Sequence, residues 1–130
     1  MQRRALRIVA GLNYRDECRS EFQNLKILTF PSIFIYECLV YAYRNYEFSV
    51  KNGDVHGYNT RLRDDIRPHY MRLEKSKNGP NFLAHKFFNK IPVHLRGAPL
   101  KRFRAVVLDH LKQKAYFSVE EFLGSDIILR

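Results

Sequence analysis

Five histidines at positions 56, 69, 85, 94 and 110, two cysteines, Cys18 and Cys38, and one adjacent acid pair, Asp64–Asp65, are the side chains of this 130-residue chain with the strongest claim on chemistry. Zinc needs clustered ligands, typically histidines one helical turn apart or a Cys-x-x-Cys pair. Neither spacing occurs, so the histidines read as surface or satisfied polar groups and no metal is expected. A nucleophile would need an activating partner, but there is no G-x-S-x-G, and neither cysteine has a histidine beside it in sequence. Phosphate-cradling G-x-G-x-x-G and P-loop strings are absent as well. Paired aspartates hold polymerase metals when they ride a rigid hairpin between apolar strands, with a third carboxylate nearby. Here RLR precedes Asp64–Asp65 and IRP follows, the context of an exposed polar loop. No cofactor is expected, and the chain does not read as an enzyme.

The chemistry that remains is electrostatic. Lysine and arginine number 23 against 13 acids, a formal net charge of +10, and fourteen of the cations are arginine, which pairs bidentately with phosphate and stacks on bases. Such an excess attracts polyanions. The cations are spread along the chain: Arg3, Arg4 and Arg7 at its start, Arg61, Arg63, Arg67 and Arg72 in its middle, and Lys101, Arg102 and Arg104 near its end. Nucleic acid is the expected partner and a membrane is not. No run reaches the ~18–20 apolar residues that span a bilayer. The amino terminus has no apolar stretch of signal-peptide type, and two cysteines are too few for a disulfide framework. The expected location is intracellular, the nucleus ahead of the cytoplasm, with both thiols reduced.

The elements that must position these groups are helical. QRRALRIVA (2–10) puts Leu6, Val9 and Ala10 on one side and Arg3, Arg4 and Arg7 on the other, and Gly11 suits a left-handed cap. Arg15 or Asp16 can cap a short second helix through Phe22 and Leu25. From Thr29, a cap, and Pro31, in the first turn, a third helix runs to Tyr46 with only Glu37 and Arg44 charged; apolar nearly all round, it predicts a buried hub over 30–46. Its tyrosines read as core rather than as a stacking platform. Gly and Pro punctuate 49–81, where HYMRLEK (69–75) alternates as a short strand does. One helix then runs from Pro80 or Asn81 to Lys90. Another opens at Pro99 and carries Leu100, Phe103, Val107 and Leu111 on one face, with Lys101 and Lys112 three turns apart on one flank. Ser118 and Glu121 form a capping-box pattern that opens SVEEFL, closed by Gly124. The expected fold is a single, small, mainly α domain over 1–130, with about five to six helices and an irregular insertion at about 49–79 that has room for a short β-hairpin.

Several strings in order, QRRALRIVAGLNYRDECR, LKILTFPSIFIYECLVYAY, VHGYNTR, GPNFLAHKFFNKIP and KRFRAVVLDHLKQKAYFSVEEFL, resemble the extreme carboxyl-terminal region of the reverse transcriptases of jockey-like non-LTR retrotransposons of arthropods. HGYNTR and the terminal SVEEFL are its most specific parts, and Phe88 stands where that family commonly has Trp. The polymerase aspartates and the endonuclease lie outside the matched region, so the resemblance implies a non-catalytic part of an RNA-directed DNA polymerase polyprotein. It implies a role in holding RNA or an RNA–DNA hybrid, mainly through phosphates. The candidate contacts are Arg3, Arg4, Arg7, Tyr58, Arg61, Arg63, Lys101, Arg102 and Lys112. Tyr58 either stacks on a base beside Arg61 or closes over the core. The alternative is a domesticated protein-interaction module, or a decayed relic, with an inherited basic surface. Its partner would be the upstream polymerase domain or an acidic protein.

Overall fold

A computed structural model describes residues 1–49, 51–55, 57, 60–67, 72 and 79–125, so Tyr58 and nearly all of the expected strand at 69–75 lie outside the described residues. The described chain is mainly helical: α1 (Gln2–Ala10), α2 (Arg19–Leu25), α3 (Phe30–Asn45), α4 (Asn52–Val55), α5 (Pro80–Asn89), α6 (Val93–Arg96), α7 (Leu100–Lys114) and α8 (Val119–Gly124). The six helices expected from the sequence are present. The single turns α4 and α6 are additions, too short to leave a periodic signal.

Helix α3 forms as its sequence dictates. The Thr29 hydroxyl accepts the Ser32 N–H at 3.3 Å, Pro31 occupies the first turn, and the last turn tightens into a 3-10 turn at Tyr46–Phe48. It packs against α5, α7 and α8. Ile35, Leu39 and Ala42 are sealed with Phe87, Phe88, Phe103, Leu111 and Phe122 in the main core. Edge-to-face contacts lock the aromatic part: the Phe122 ring lies 5.4 Å from Phe87 and 5.4 Å from Tyr116. The hub is not buried all round, however. Phe30 is 68% exposed and Tyr41 50%, with Ile33 and Phe34 also open. At 100° per residue these four share one arc with Glu37 and Arg44, the stripe left uncovered between α5 and α7.

Helix α1 also departs from expectation. Leu6 alone is buried, while Val9, expected beside it, is 76% exposed. The helix rests on a small satellite cluster of Leu6, Cys18, Phe22 and Ala115, which offers contact to one residue rather than a stripe. Gly11 at φ 72° closes it as expected. Asp16 does not cap α2; its carboxylate accepts the Asn13 N–H at 2.9 Å, its carbonyl accepts Arg7 Nε at 2.8 Å, and Cys18 holds the cap position without a side-chain bond. At α8 the Ser118 hydroxyl accepts the Glu121 N–H at 3.2 Å.

In the middle segment, Lys51 and Ile66 form one isolated antiparallel bridge. Ile66 is 1% exposed, and the Asn89 side chain pairs with it in both directions, accepting its N–H at 2.8 Å and donating to its carbonyl at 2.9 Å. The Gly53 N–H donates to the Arg63 carbonyl at 2.9 Å, an approach so close that a Cβ on Gly53 would come within 2.5 Å of Arg63 Cγ.

Candidate nucleic-acid interface

The predicted contact residues fall at two ends of the molecule. Helices α3 and α7 run antiparallel: Tyr43 stacks on Phe103 at 4.6 Å and its hydroxyl donates to the Ala98 carbonyl, while Thr29 at the other end donates to the Tyr116 carbonyl. Helix α1 sits at the Thr29 end, where Gln2 bonds the Leu28 carbonyl and the Phe30 N–H at 2.7 and 2.8 Å. Arg61, Arg63, Lys101 and Arg102 lie at the opposite end and are all exposed. Lys112 belongs to the first end and is half-buried. At ~1.5 Å rise per residue it stands roughly 16 Å from Lys101 along α7. Tyr58 is outside the described residues.

The α1 arginines differ from one another. Arg4 is exposed and without a partner among the described residues. Arg3 lays its guanidinium 5.0 Å from the centre of the Phe117 ring, which Arg19 also approaches, at 4.4 Å. Arg7 is committed to the Asp16 carbonyl and so holds the 11–16 turn, a structural task that the sequence does not announce.

Two ion pairs form among the described residues, Arg19–Glu121 at 3.0 Å and Arg96–Asp65 at 2.8 Å. Among the described residues, Arg4, Arg61, Arg63, Lys101 and Arg102 are exposed and belong to neither pair. The second pair changes the reading of the middle loop. Arg96 is 6% exposed, and its guanidinium also donates to the carbonyls of Ile91 (2.9 Å), Asn89 (2.8 Å) and Asp64 (3.1 Å) while lying 5.6 Å from the Phe88 ring. Asp64 is exposed as expected, but Asp65 is half-buried as the counter-ion of Arg96.

Sequence reasoning missed a cationic cleft next to this pair. It opens between the C-terminal end of α3 and Gly97, holds about 460 Å³, and is lined by Tyr43, Arg44, Tyr46, Lys51 and Arg96, with Glu47 on its wall. Lys51 Nζ sits 4.5 Å from the Tyr46 ring, whose hydroxyl donates to the Asp64 carbonyl at 2.6 Å. A signal was available: Arg44 is flanked by Tyr43 and Tyr46 at the end of the apolar helix, seven residues before Lys51. Arg104, one of the late basic residues, is tied to α3 by a bond the sequence does not announce: its Nε donates to the Tyr36 hydroxyl at 2.7 Å.

Among the described residues no group of three or more His, Cys, Asp or Glu side chains is placed to hold a metal ion. Burial, with the Glu37 charge adding to it, pushes the Cys38 thiol up to about 11, so it stays protonated at neutral pH. Burial chiefly, and then Lys114, lowers the pKa of His110, whose Nε2 lies 3.0 Å from the Tyr116 hydroxyl. No single described helix is long and apolar enough to cross a membrane; α2 and α3 together meet the length and composition test only as a pair bent by 55°. No protein-family model, curated protein or solved structure matches the chain.

Proposed function

We propose that this chain is a non-catalytic, nucleic-acid-binding helical domain that grips RNA, or an RNA–DNA hybrid, mainly through phosphates. The observation that carries the reading is a set of exposed cations, Arg4, Arg61, Arg63, Lys101 and Arg102, that form no ion pair among the described residues of a +10 chain. Exposed arginines without carboxylate partners are what a phosphate backbone neutralises, releasing its counterions. Asp65 supports the non-catalytic half of the reading, because a carboxylate spent on a buried guanidinium is poorly placed to take a metal ion. The likeness of its strings to the carboxyl-terminal region of jockey-like reverse transcriptases supplies the ancestry, a part that holds template while chemistry occurs elsewhere.

The test is filter binding of single-stranded RNA by the chain and by the variant Arg3→Gln/Arg4→Gln/Lys101→Gln/Arg102→Gln. The variant should bind at least tenfold more weakly, roughly 1.4 kcal/mol, at a nearly unchanged melting temperature, since all four side chains are exposed and the Arg3–Phe117 contact is one exposed cation–π pair. Equal affinity would reject the reading.

A second reading is favoured by a different observation, the open stripe of Phe30, Ile33, Phe34 and Tyr41 on α3. Exposed aromatics aligned on one helix suit a protein partner, and the net charge of +10 favours an acidic one. In that case a defined protein co-purifies after nuclease treatment and is lost with Phe34→Glu/Tyr41→Glu. Loss of every partner on nuclease treatment returns the case to nucleic acid.

A further inference from the structure

We infer that the cleft between the end of α3 and Gly97 seats one nucleotide unit of a single-stranded polynucleotide, its phosphate between Arg44 and Lys51. The inference rests on the nucleic-acid reading above and says where on that surface a strand is gripped.

The lining sets the ligand class. Of its three cations, Arg96 is already spent: three carbonyls and Asp65 occupy its N–H groups, so it makes a floor, not a ligand. Arg44 is exposed and Lys51 half-buried. Neither forms an ion pair among the described residues, with Glu47 or with any other acid; Arg44 is open to an incoming anion, and Lys51, its Nζ resting over the Tyr46 ring, still has no acid to neutralise it. The walls are aromatic and already fixed. Tyr43 is stacked on Phe103, and Tyr46 is held 5.0 Å from the Phe88 ring and bonded to the Asp64 carbonyl. A rigid wall spares the ordering cost of binding. Phe48, in the same 3-10 turn as Tyr46, is 85% exposed and offers a face on which a base can stack.

Size and shape argue for a single strand. A space of about 460 Å³ lies within the range of small-ligand sites and admits one nucleotide. In a duplex the bases face inward and are stacked, whereas single-stranded bases can be splayed onto side chains. The general basic exterior accepts either form; the cleft discriminates between them.

The test uses the full chain, a fluorescein-labelled 12-nucleotide oligouridylate and a blunt RNA duplex of equal length, read by anisotropy over a salt series. Arg44→Gln/Lys51→Gln should weaken oligouridylate binding about tenfold at low salt. It should also reduce the slope of log affinity against log salt by about 1.4, the value for two lost single-strand phosphate contacts. Duplex binding should change less than twofold. Arg44→Lys/Lys51→Arg, which keeps both charges, should restore most of the loss. In amide NMR spectra, uridine monophosphate should shift residues 43–49 and 96–97 more than inorganic phosphate does. Unchanged oligouridylate affinity and slope in the Gln variant overturns the cleft while leaving the broader reading intact. So does an equal loss for duplex and single strand, or equal shifts with inorganic phosphate. Failure of the parent chain to bind either RNA sinks the broader reading, and the cleft with it.

Discussion

Arg96 carries a prediction whose size follows from its contacts. The side chain is 4% exposed and its guanidinium satisfies the carbonyls of Ile91, Asn89 and Asp64 as well as the Asp65 carboxylate. Arg96→Met keeps the apolar stem and its packing on Phe88 but removes every donor. The Ile91 carbonyl, beside a side chain 2% exposed, is the acceptor with least access to water, and leaving one such acceptor unpaired costs about 1–3 kcal/mol. Asp65, 17% exposed, loses its counter-ion, and breaking a buried pair from one side costs about 3–5 kcal/mol. Because Asp64 and Asp65 lie near the surface and can rehydrate, the sum settles at roughly 3–4 kcal/mol. Asp65→Asn takes the counter-ion from a guanidinium 4% exposed but keeps an acceptor at the same place and all three carbonyl bonds, so it should cost about 2–3 kcal/mol, less than Arg96→Met. Urea unfolding followed by far-UV circular dichroism measures both. Arg96→Met within about 0.5 kcal/mol of the parent, or Asp65→Asn costing more than Arg96→Met, would refute the view that this guanidinium pins the 60–67 loop to α5 and α6.

Three further outcomes are expected. Leu39, fully buried on α3, should cost about 2–5 kcal/mol as Leu39→Ala, read by the same unfolding assay. Cys38, its pKa raised to about 11, should resist iodoacetamide at pH 8 in the folded chain and react once the chain is unfolded in urea. His110 has a folded pKa below its ordinary 6.5, so the unfolded chain takes up the proton first as the pH falls. Stability from this residue is therefore complete above about pH 6.5 and is lost below it; melting temperature should fall between pH 7 and pH 5, and His110→Gln should flatten that part of the curve.

Helix starts and stops were legible wherever they were local. Thr29, Pro31, Gly11 and the Ser118–Glu121 pair act where the sequence places them, because caps depend on neighbours three or four residues away. Asp16 misled for the opposite reason: its partners, Asn13 and Arg7, draw it back toward α1. Burial was legible only in part. Periodicity marked Phe103, Val107 and Leu111 as one inward face, but an apolar circumference cannot say which stripe of α3 lacks a cover. Val9 came out exposed because α1 rests on a cluster too small for two of its residues. The cleft was legible only in part: Arg44, Tyr46 and Lys51 are neighbours in sequence, but the turn at 96–97 that completes it meets them only through long-range contacts.

The salt dependence of binding to a single-stranded RNA reaches the central claim most directly. Anisotropy titrations between 50 and 300 mM potassium chloride should give a straight line of log affinity against log salt, with a slope near −0.7 for each phosphate neutralised and therefore about −2 to −4 for three to five contacts. A flat line, or no binding at 50 mM, would contradict it.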